Sequence, residues 1–306
     1  MSDAPPRWRE IEAPVVAVVG ATGVVGRELL DILAERSLPL GGLRLFASAR
    51  SAGVRLSCGR LAAETEVLGP GVFDGVDVAF FCVDAELARE WCPRAARAGA
   101  LVVDHSSAFR MDSAVPLVVP EVNGGVLEAI GLPRGIVSNP NCSTILAAAA
   151  LTPLHRRAGV ERIQVCTYQA VSGGGAAMME ELLTQTRRVL RGEDPAPSGK
   201  RVLAFNVFSH ESALDERGWN TEEAKLEREL RKLWDRPGLG VQATCIRVPV
   251  VRVHCEAVTV RLSEPPPPLG VRRLAAAERG AEHVGDRRAR RAALDEAERR
   301  PGAVGG

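Results

Sequence analysis

Cys142 stands in the run Asn139-Pro140-Asn141-Cys142-Ser143-Thr144, where a proline-containing turn gives way to a helical pattern. A thiol in the first turn of a helix has its thiolate stabilised by the dipole and by N–H groups without intrahelical partners. The same N–H groups can hold the oxyanion of a tetrahedral intermediate. These residue types point to nucleophilic attack on an acyl group. Cys58, Cys82, Cys92, Cys166 and Cys245 sit in or beside apolar runs and read as core.

A second chemical motif lies near the start of the chain. Gly20-Ala21-Thr22-Gly23-Val24-Val25-Gly26 follows the apolar run Val15–Val19 and precedes a helical pattern from about Arg27 to Glu35. Glycines in that position allow a tight turn, and they let backbone approach a pyrophosphate at the helix N-terminus. The spacing is G-x-x-G-x-x-G rather than the commoner G-x-G-x-x-G. About 20 residues on, an NAD binder places a carboxylate against the ribose 2′-hydroxyl. The matching stretch here, Phe46 to Gly53, has Arg50 and Ser51 and no carboxylate. A guanidinium and hydroxyls suit a 2′-phosphate, which predicts NADP.

A thiol nucleophile needs an acid/base partner, and the histidines are His105, His155, His210, His254 and His283. His155 falls near the end of the helix after Cys142 and is expected to face solvent. His254 is seven residues after Arg247, which on a regular strand places the two on opposite faces. Pro249 lies between them and argues against a regular central strand. A break there would let both reach one site, but the residues alone do not single out a histidine.

The elements that must position these groups alternate. Strands are predicted at Val15–Val19, Leu43–Ala47, Val76–Val83 and Leu101–Asp104, with a helix over Ala85–Ala98. This is the pattern of a parallel, doubly wound sheet. Ile136–Val137 leads into the cysteine turn, and a helix is expected over Ser143–Leu154. From about residue 160 the texture changes. Strands at Ile163–Tyr168 and Cys245–Val260 flank helices near Met178–Leu190 and Thr221–Leu233, predicting a second α+β domain with an antiparallel sheet. The expected organisation is a leader over 1–13, a Rossmann-like dinucleotide-binding domain over 14–141 and a catalytic and dimerisation domain over 142–264. A Pro/Arg/Ala-rich tail over 265–306 reads as aberrant or truncated, leaving the second domain incomplete.

Composition narrows the classes. The 306 residues carry a net charge of +1 and are 46% hydrophobic, which argues against a nucleic-acid binder and for an ordinary core. No run reaches the roughly 18 apolar residues of a membrane span. The N-terminus has no apolar signal region. Seven cysteines without a C-x-x-C pair or metal-ligand spacing suit a reducing, cytoplasmic compartment. No metal site is expected.

Taken in order, the motifs resemble the aspartate-β-semialdehyde dehydrogenase family. They are GATGVVG (20–26), ASARSAG (47–53), SSAFRMD (106–112), VVPEVN (118–123), NPNCST (139–144), YQAVSGGG (168–175), FNVFSH (205–210), TEEAK (221–225) and RVPVVRVH (247–254). The resemblance runs from Val15 to about Leu262. It implies reversible, NADP-dependent reductive dephosphorylation of L-aspartyl 4-phosphate to aspartate 4-semialdehyde through a thioacyl enzyme on Cys142. That reaction lies on the route to Lys, Met, Thr and diaminopimelate. By resemblance His254 is the acid/base, Gln169 orients the substrate and Arg247 pairs with its α-carboxylate. Glu222 would meet its ammonium, and Arg110 and Lys225 would bind phosphate. Thr22 to Val25, Arg50, Ser51, Ser172 and Gly173 would line NADP, and a homodimer is implied. The alternatives are an impaired NADP-binding homologue and a sibling N-acetylglutamyl-phosphate reductase. Three departures stand out: His105 where the family has Asn, Val83-Asp84-Ala85 where it has a glycine-containing turn, and the chain after Glu264.

Overall fold

The structure, a computed structural model, describes residues 11–129, 135–197 and 199–264. Most of the expected leader and all of the 265–306 tail lie outside these residues. The chain divides into two compact units. One takes the residues up to 145 together with 228–237, and the other takes 146–227 and the chain from 238 onward.

The first unit is built on β1 (Val15–Val19), α1 (Val24–Glu35), β2 (Gly42–Phe46), β3 (Arg55–Cys58), β4 (Leu61–Glu66), β5 (Val78–Phe81), α2 (Ala85–Arg97), β6 (Leu101–Asp104), α3 (Pro120–Asn123), α4 (Gly125–Ala129) and β7 (Gly135–Ser138). Its sheet runs β3-β4-β2-β1-β5-β6-β7, parallel throughout except for β3 against β4. The expected doubly wound sheet is present, with an antiparallel hairpin added at one edge.

β1 is apolar throughout because both of its faces are covered. Val16 and Val18 pack with Leu30, Leu33 and Leu45. Ala17 and Val19 face Phe46, Phe73, Phe81 and Trp91. Phe73 centres this second cluster, its ring 5.6 Å from Phe46, 5.8 Å from Phe81 and 6.3 Å from Trp91. Each such ring contributes about 1.5–3 kcal/mol when removed from water. β2 and β5 flank β1 on opposite sides. The order of the strands therefore reverses at β1, and the crevice beyond its C-terminal end is where such sheets bind ligands.

α5 (Cys142–Ala158) leads to the second unit, which carries β8 (Val160–Gln169), α6 (Gly175–Leu190), β9 (Phe208–Ser209), α7 (Thr221–Leu233), β10 (Gly240–Arg247) and β11 (Cys255–Leu262). α5 and α7 each cross the division between units. The second sheet runs β11-β8-β10-β9. It is mixed rather than antiparallel, because β8 and β10 pair in parallel over eight residues, Arg162↔Gly240 to Gln169↔Arg247. The long connection through α6 and α7 supplies the crossover that parallel pairing requires. The strand expected over Cys245–Val260 is in fact two, β10 and β11, separated by the segment around Pro249. That segment holds Val253 at φ +74°.

Two helix boundaries also differ from expectation. α1 starts at Val24, since Gly26 is tolerated in a first turn. α5 continues through Pro153 to Ala158, because a proline near a helix end forfeits one hydrogen bond while keeping a helical φ. His155 is half-buried rather than solvent-facing, its Nδ1 accepting from Val160 N at 3.1 Å.

Candidate active site

The predicted site residues divide between the two units. In the first, the glycine loop sits at the C-terminal end of β1. Gly20 has φ +84°, and a Cβ on it would lie 2.3 Å from the Cys82 carbonyl oxygen. A Cβ on Gly26 would lie 2.2 Å from the Gly20 oxygen, so neither position accommodates a side chain without movement. Gly23 caps α1 with no side-chain hydrogen bond, and the first turn holds no acidic residue. The N–H groups of Val24, Val25 and Gly26 are therefore not claimed by a capping side chain, which fits a dinucleotide's phosphates.

Arg50 and Ser51 form a short turn after β2, with Arg50 exposed. Thr65 Oγ1 braces that turn, donating to the Ser51 carbonyl and accepting from Val54 N. Asp84 is the N-cap of α2, its Oδ1 accepting from Leu87 N at 2.9 Å. The carboxylate that replaces the family's small turn thus satisfies a helix terminus.

Cys142 is exposed and is the first residue of α5. Asn141 caps the helix, its Oδ1 accepting from Ser143 N at 3.1 Å and lying 4.0 Å from Cys142 Sγ. The turn before it is held by Asn139 N donating to the Asp104 carbonyl at 2.8 Å. Beneath it lies a residue the sequence reading missed. Glu229, with its side chain 2% exposed, accepts from Asn141 N at 2.6 Å and from Arg110 NH1 at 3.1 Å. Arg110 also donates through Nε to the Asn139 carbonyl and through NH2 to the His105 carbonyl. In this structure the predicted phosphate-binding arginine thus grips both sides of the cysteine turn.

Burial pushes the Glu229 carboxyl up, and Arg110 opposes that shift. A usable signal for Glu229 was present in the sequence. It lies seven residues after Glu222, on nearly the same face of α7. Cys255, the first residue of β11, is also exposed, but the remaining thiols contrast with Cys142. Cys58, Cys92 and Cys245 are buried, and Cys82 and Cys166 half-buried. Burial pushes the thiols of Cys82 and Cys245 up to about 12.

In the second unit the break between β10 and β11 brings Arg247 and His254 to one residue. Arg247 NH1 donates to the Ala170 carbonyl, and Ala170 N donates to His254 Nδ1 at 2.9 Å. A Cβ on Gly173 would lie 3.6 Å from Arg247 NH1 and 3.8 Å from His254 Nε2. Gln169, 1% exposed, ends β8 opposite Arg247. Ser172 and Gly173 lie on the following turn, where Ser172 N donates to the Val251 carbonyl.

Because His254 Nδ1 accepts a backbone N–H, the neutral ring carries its proton on Nε2. Burial, reinforced by the Arg247 cation and opposed by Glu222, pushes the ring's pKa down to about 4. Glu222 is 8% exposed and pairs with Lys225 one turn along α7. α7 is anchored by a capping box in which Asn220 and Glu223 each accept the other's backbone N–H, at 2.9 and 3.0 Å. Glu223 Oε1 also accepts from Cys245 N of β10.

The structure therefore gathers Gln169, Ser172, Gly173, Glu222, Lys225, Arg247 and His254 in one unit, and the glycine loop, Arg50, Ser51, Arg110 and Cys142 in the other. Among the described residues, no group of three or more His, Cys, Asp or Glu side chains is placed to hold a metal ion.

Two family models match the chain: "Semialdehyde dehydrogenase, NAD binding domain" over residues 15–130 and "Semialdehyde dehydrogenase, dimerisation domain" over residues 151–289. The second match extends past Glu264, where the motif resemblance ends. Together they define a class, the semialdehyde dehydrogenases, in which a dinucleotide-binding domain is followed by a dimerisation domain. Among curated relatives, an aspartate-semialdehyde dehydrogenase of Synechocystis sp. is 43% identical over 253 residues, covering 82% of this chain and 74% of that protein. A solved structure of aspartate semialdehyde dehydrogenase II from Vibrio cholerae, complexed with ASA, superposes with a TM-score of 0.82. It is 37% identical, over 86% of this chain and 79% of that one. The Candida albicans enzyme, solved with NADP, gives 0.64 at 25% identity over 86% and 75% of the two chains. The chain belongs to the aspartate-semialdehyde dehydrogenase family.

Proposed function

We propose that the protein catalyses the NADP-dependent interconversion of L-aspartyl 4-phosphate with aspartate 4-semialdehyde and phosphate, a step toward Lys, Met, Thr and diaminopimelate. The observation that carries this reading is Cys142: an exposed thiol at the capped start of α5, whereas the other exposed cysteine, Cys255, begins strand β11. In the biosynthetic direction the Cys142 thiolate attacks the acyl carbon and phosphate departs, leaving a thioacyl enzyme. NADP supplies the hydride chemistry when bound, held by residues 20–26, Arg50, Ser51, Ser172 and Gly173. The N–H groups at the start of α5 hold the oxyanion. His254 moves the proton at Nε2 as the hemithioacetal collapses and the thiolate leaves.

Arg247 takes the substrate α-carboxylate, because its planar fork matches that group. Gln169 orients the substrate, Glu222 meets its ammonium, and Arg110 and Lys225 balance the phosphate charge. A homodimer fits the family model and the open face of the second sheet, which presents Gln164 and Tyr168 beside Gln242, Thr244, Ala257 and Thr259. A cytoplasmic setting fits seven free thiols. Among the described residues no helix is long and apolar enough to cross a membrane.

The test is NADPH formation by the purified chain with aspartate semialdehyde, NADP and phosphate. Phosphate-dependent turnover is expected, falling by on the order of 1,000-fold or more in Cys142→Ala. Turnover that persists in that variant, or that needs no phosphate, overturns the reading.

A further inference from the structure

The arginine assigned above to the substrate carboxylate already holds one. Arg247 is 2% exposed at its side chain, and Glu211 lies side-on to its guanidinium. Arg247 Nε donates to Glu211 Oε2 at 3.1 Å, and NH2 donates to Glu211 Oε1. This is the paired-hydrogen-bond geometry by which arginine recognises a free carboxylate. The remaining directions of the fork are also used. NH1 donates to the Ala170 carbonyl, and NH2 lies 2.7 Å from His210 Nε2. His210 is itself held from the other side of its ring, where Nδ1 lies 3.1 Å from Ser212 Oγ and 3.3 Å from Ser212 N.

The two members of the pair differ in mobility of environment. Arg247 is enclosed at the end of β10, whereas the Glu211 side chain is 27% exposed on the segment just after β9. Glu211 can therefore leave for water, and Arg247 cannot. Burial works most strongly on the Glu211 carboxyl and raises it, but the Arg247 hydrogen bonds, a backbone N–H and the neighbouring positive charge together hold the group below its ordinary value.

We propose that Glu211 is an internal carboxylate occupying the position of the substrate's α-carboxylate on Arg247, so that substrate binds by displacing it and Glu211 sets the affinity. This rests on the reading of Arg247 given above. It makes Glu211 a specificity-determining residue. A ligand offering a carboxylate alone gains little, since it exchanges one carboxylate for another. A ligand with further points of attachment, such as an ammonium or a carbon that bonds Cys142, gains the difference.

The experiment is steady-state kinetics of the full chain with aspartate semialdehyde as varied substrate, for Glu211→Gln, Glu211→Ala and Arg247→Leu. Each Glu211 variant is expected to lower KM about tenfold, the worth of a charge-assisted hydrogen bond no longer to be broken. The effect should fall on KM rather than kcat. Simple monocarboxylates such as acetate should become measurable competitive inhibitors of the variants. Arg247→Leu should raise KM at least tenfold. If Arg247→Leu raises KM but the Glu211 variants leave it unchanged or raise it, Glu211 merely orients the arginine and the proposal falls alone. If Arg247→Leu leaves KM unchanged, the carboxylate-binding reading falls and the proposal with it. Acetate inhibition needs only folded, active protein, so it decides the matter in whichever Glu211 variant folds.

Discussion

The two groups of candidate residues, one in each unit, are built on opposite plans. In the first unit the reactive group is exposed and its supports are buried. Cys142 begins a regular helix, while Glu229, Arg110 and the Asp104 carbonyl hold the preceding turn from below. In the second unit the functional groups are the buried ones, and they sit on irregular backbone. Arg247 ends a strand, His254 follows a residue with positive φ, and both bond to a single peptide residue. The contrast matches the role proposed above for each group. A nucleophile has to be reachable, and its turn must not move. A proton-handling ring and a carboxylate-binding cation must be desolvated to work, and an irregular segment brings them to one place from distant sequence positions.

That difference predicts which substitutions harm chemistry and which harm folding. The largest effect is expected at His254. His254→Asn keeps a side-chain oxygen able to accept from Ala170 N but removes the titratable nitrogen, so kcat should fall by about 10²–10⁴ with the fold retained. The same variant isolates a pH effect. An unfolded imidazole titrates near 6.5, whereas the folded ring titrates at about 4. Between those values the unfolded chain binds a proton that the folded chain does not, so the stability from the neutral ring is present above pH 6.5 and lost as pH falls toward 4. Urea unfolding should show the parent losing about 3 kcal/mol relative to His254→Asn across that window. Equal losses in the two proteins would mean the ring is not held neutral.

The next effect belongs to the first unit and should appear in stability. Glu229→Ala takes the carboxylate away from the buried Arg110 guanidinium and from Asn141 N, expected to cost about 3–5 kcal/mol by urea unfolding. Breaking the partly exposed Glu211–Arg247 contact from the Glu211 side should cost about 1 kcal/mol or less by the same measurement. Similar costs for the two would erase the contrast between the two groups. The smallest effect is expected at Arg50. Arg50→Ala should raise KM for NADP about tenfold and leave KM for NAD unchanged, since only the 2′-phosphate contact is lost. An equal rise for both cofactors would move Arg50 out of the specificity role.

The same contrast explains what could be read from the residues. Local signals survive in sequence: an apolar run before glycines, a Pro-Asn turn before a cysteine, the bounds of α7. The β3–β4 hairpin was missed because its strands lie at an edge and alternate polar residues with few apolar ones. The parallel pairing of β8 with β10 was missed because nothing in either strand records which neighbour a long crossover will choose. Glu229 and Glu211 were missed for a related reason. Their partners lie 88 and 36 residues away; the seven-residue spacing from Glu222 marked the helix face of Glu229 but not its partner, and nothing local marked Glu211. Pro249 did carry information. It signalled the break, although not that both ends of the break would converge on Ala170.

That convergence has a consequence for how the site tolerates change. Ala170 presents its N–H to His254 and its carbonyl to Arg247. The offset between ring and guanidinium is thus set by the backbone of one amino acid, held at φ −65° and ψ 156°. Changes in side-chain packing alter that offset only by turning this backbone or by loosening one of the two hydrogen bonds. The residue acts as a ruler, and its calibration belongs to the backbone rather than to the core.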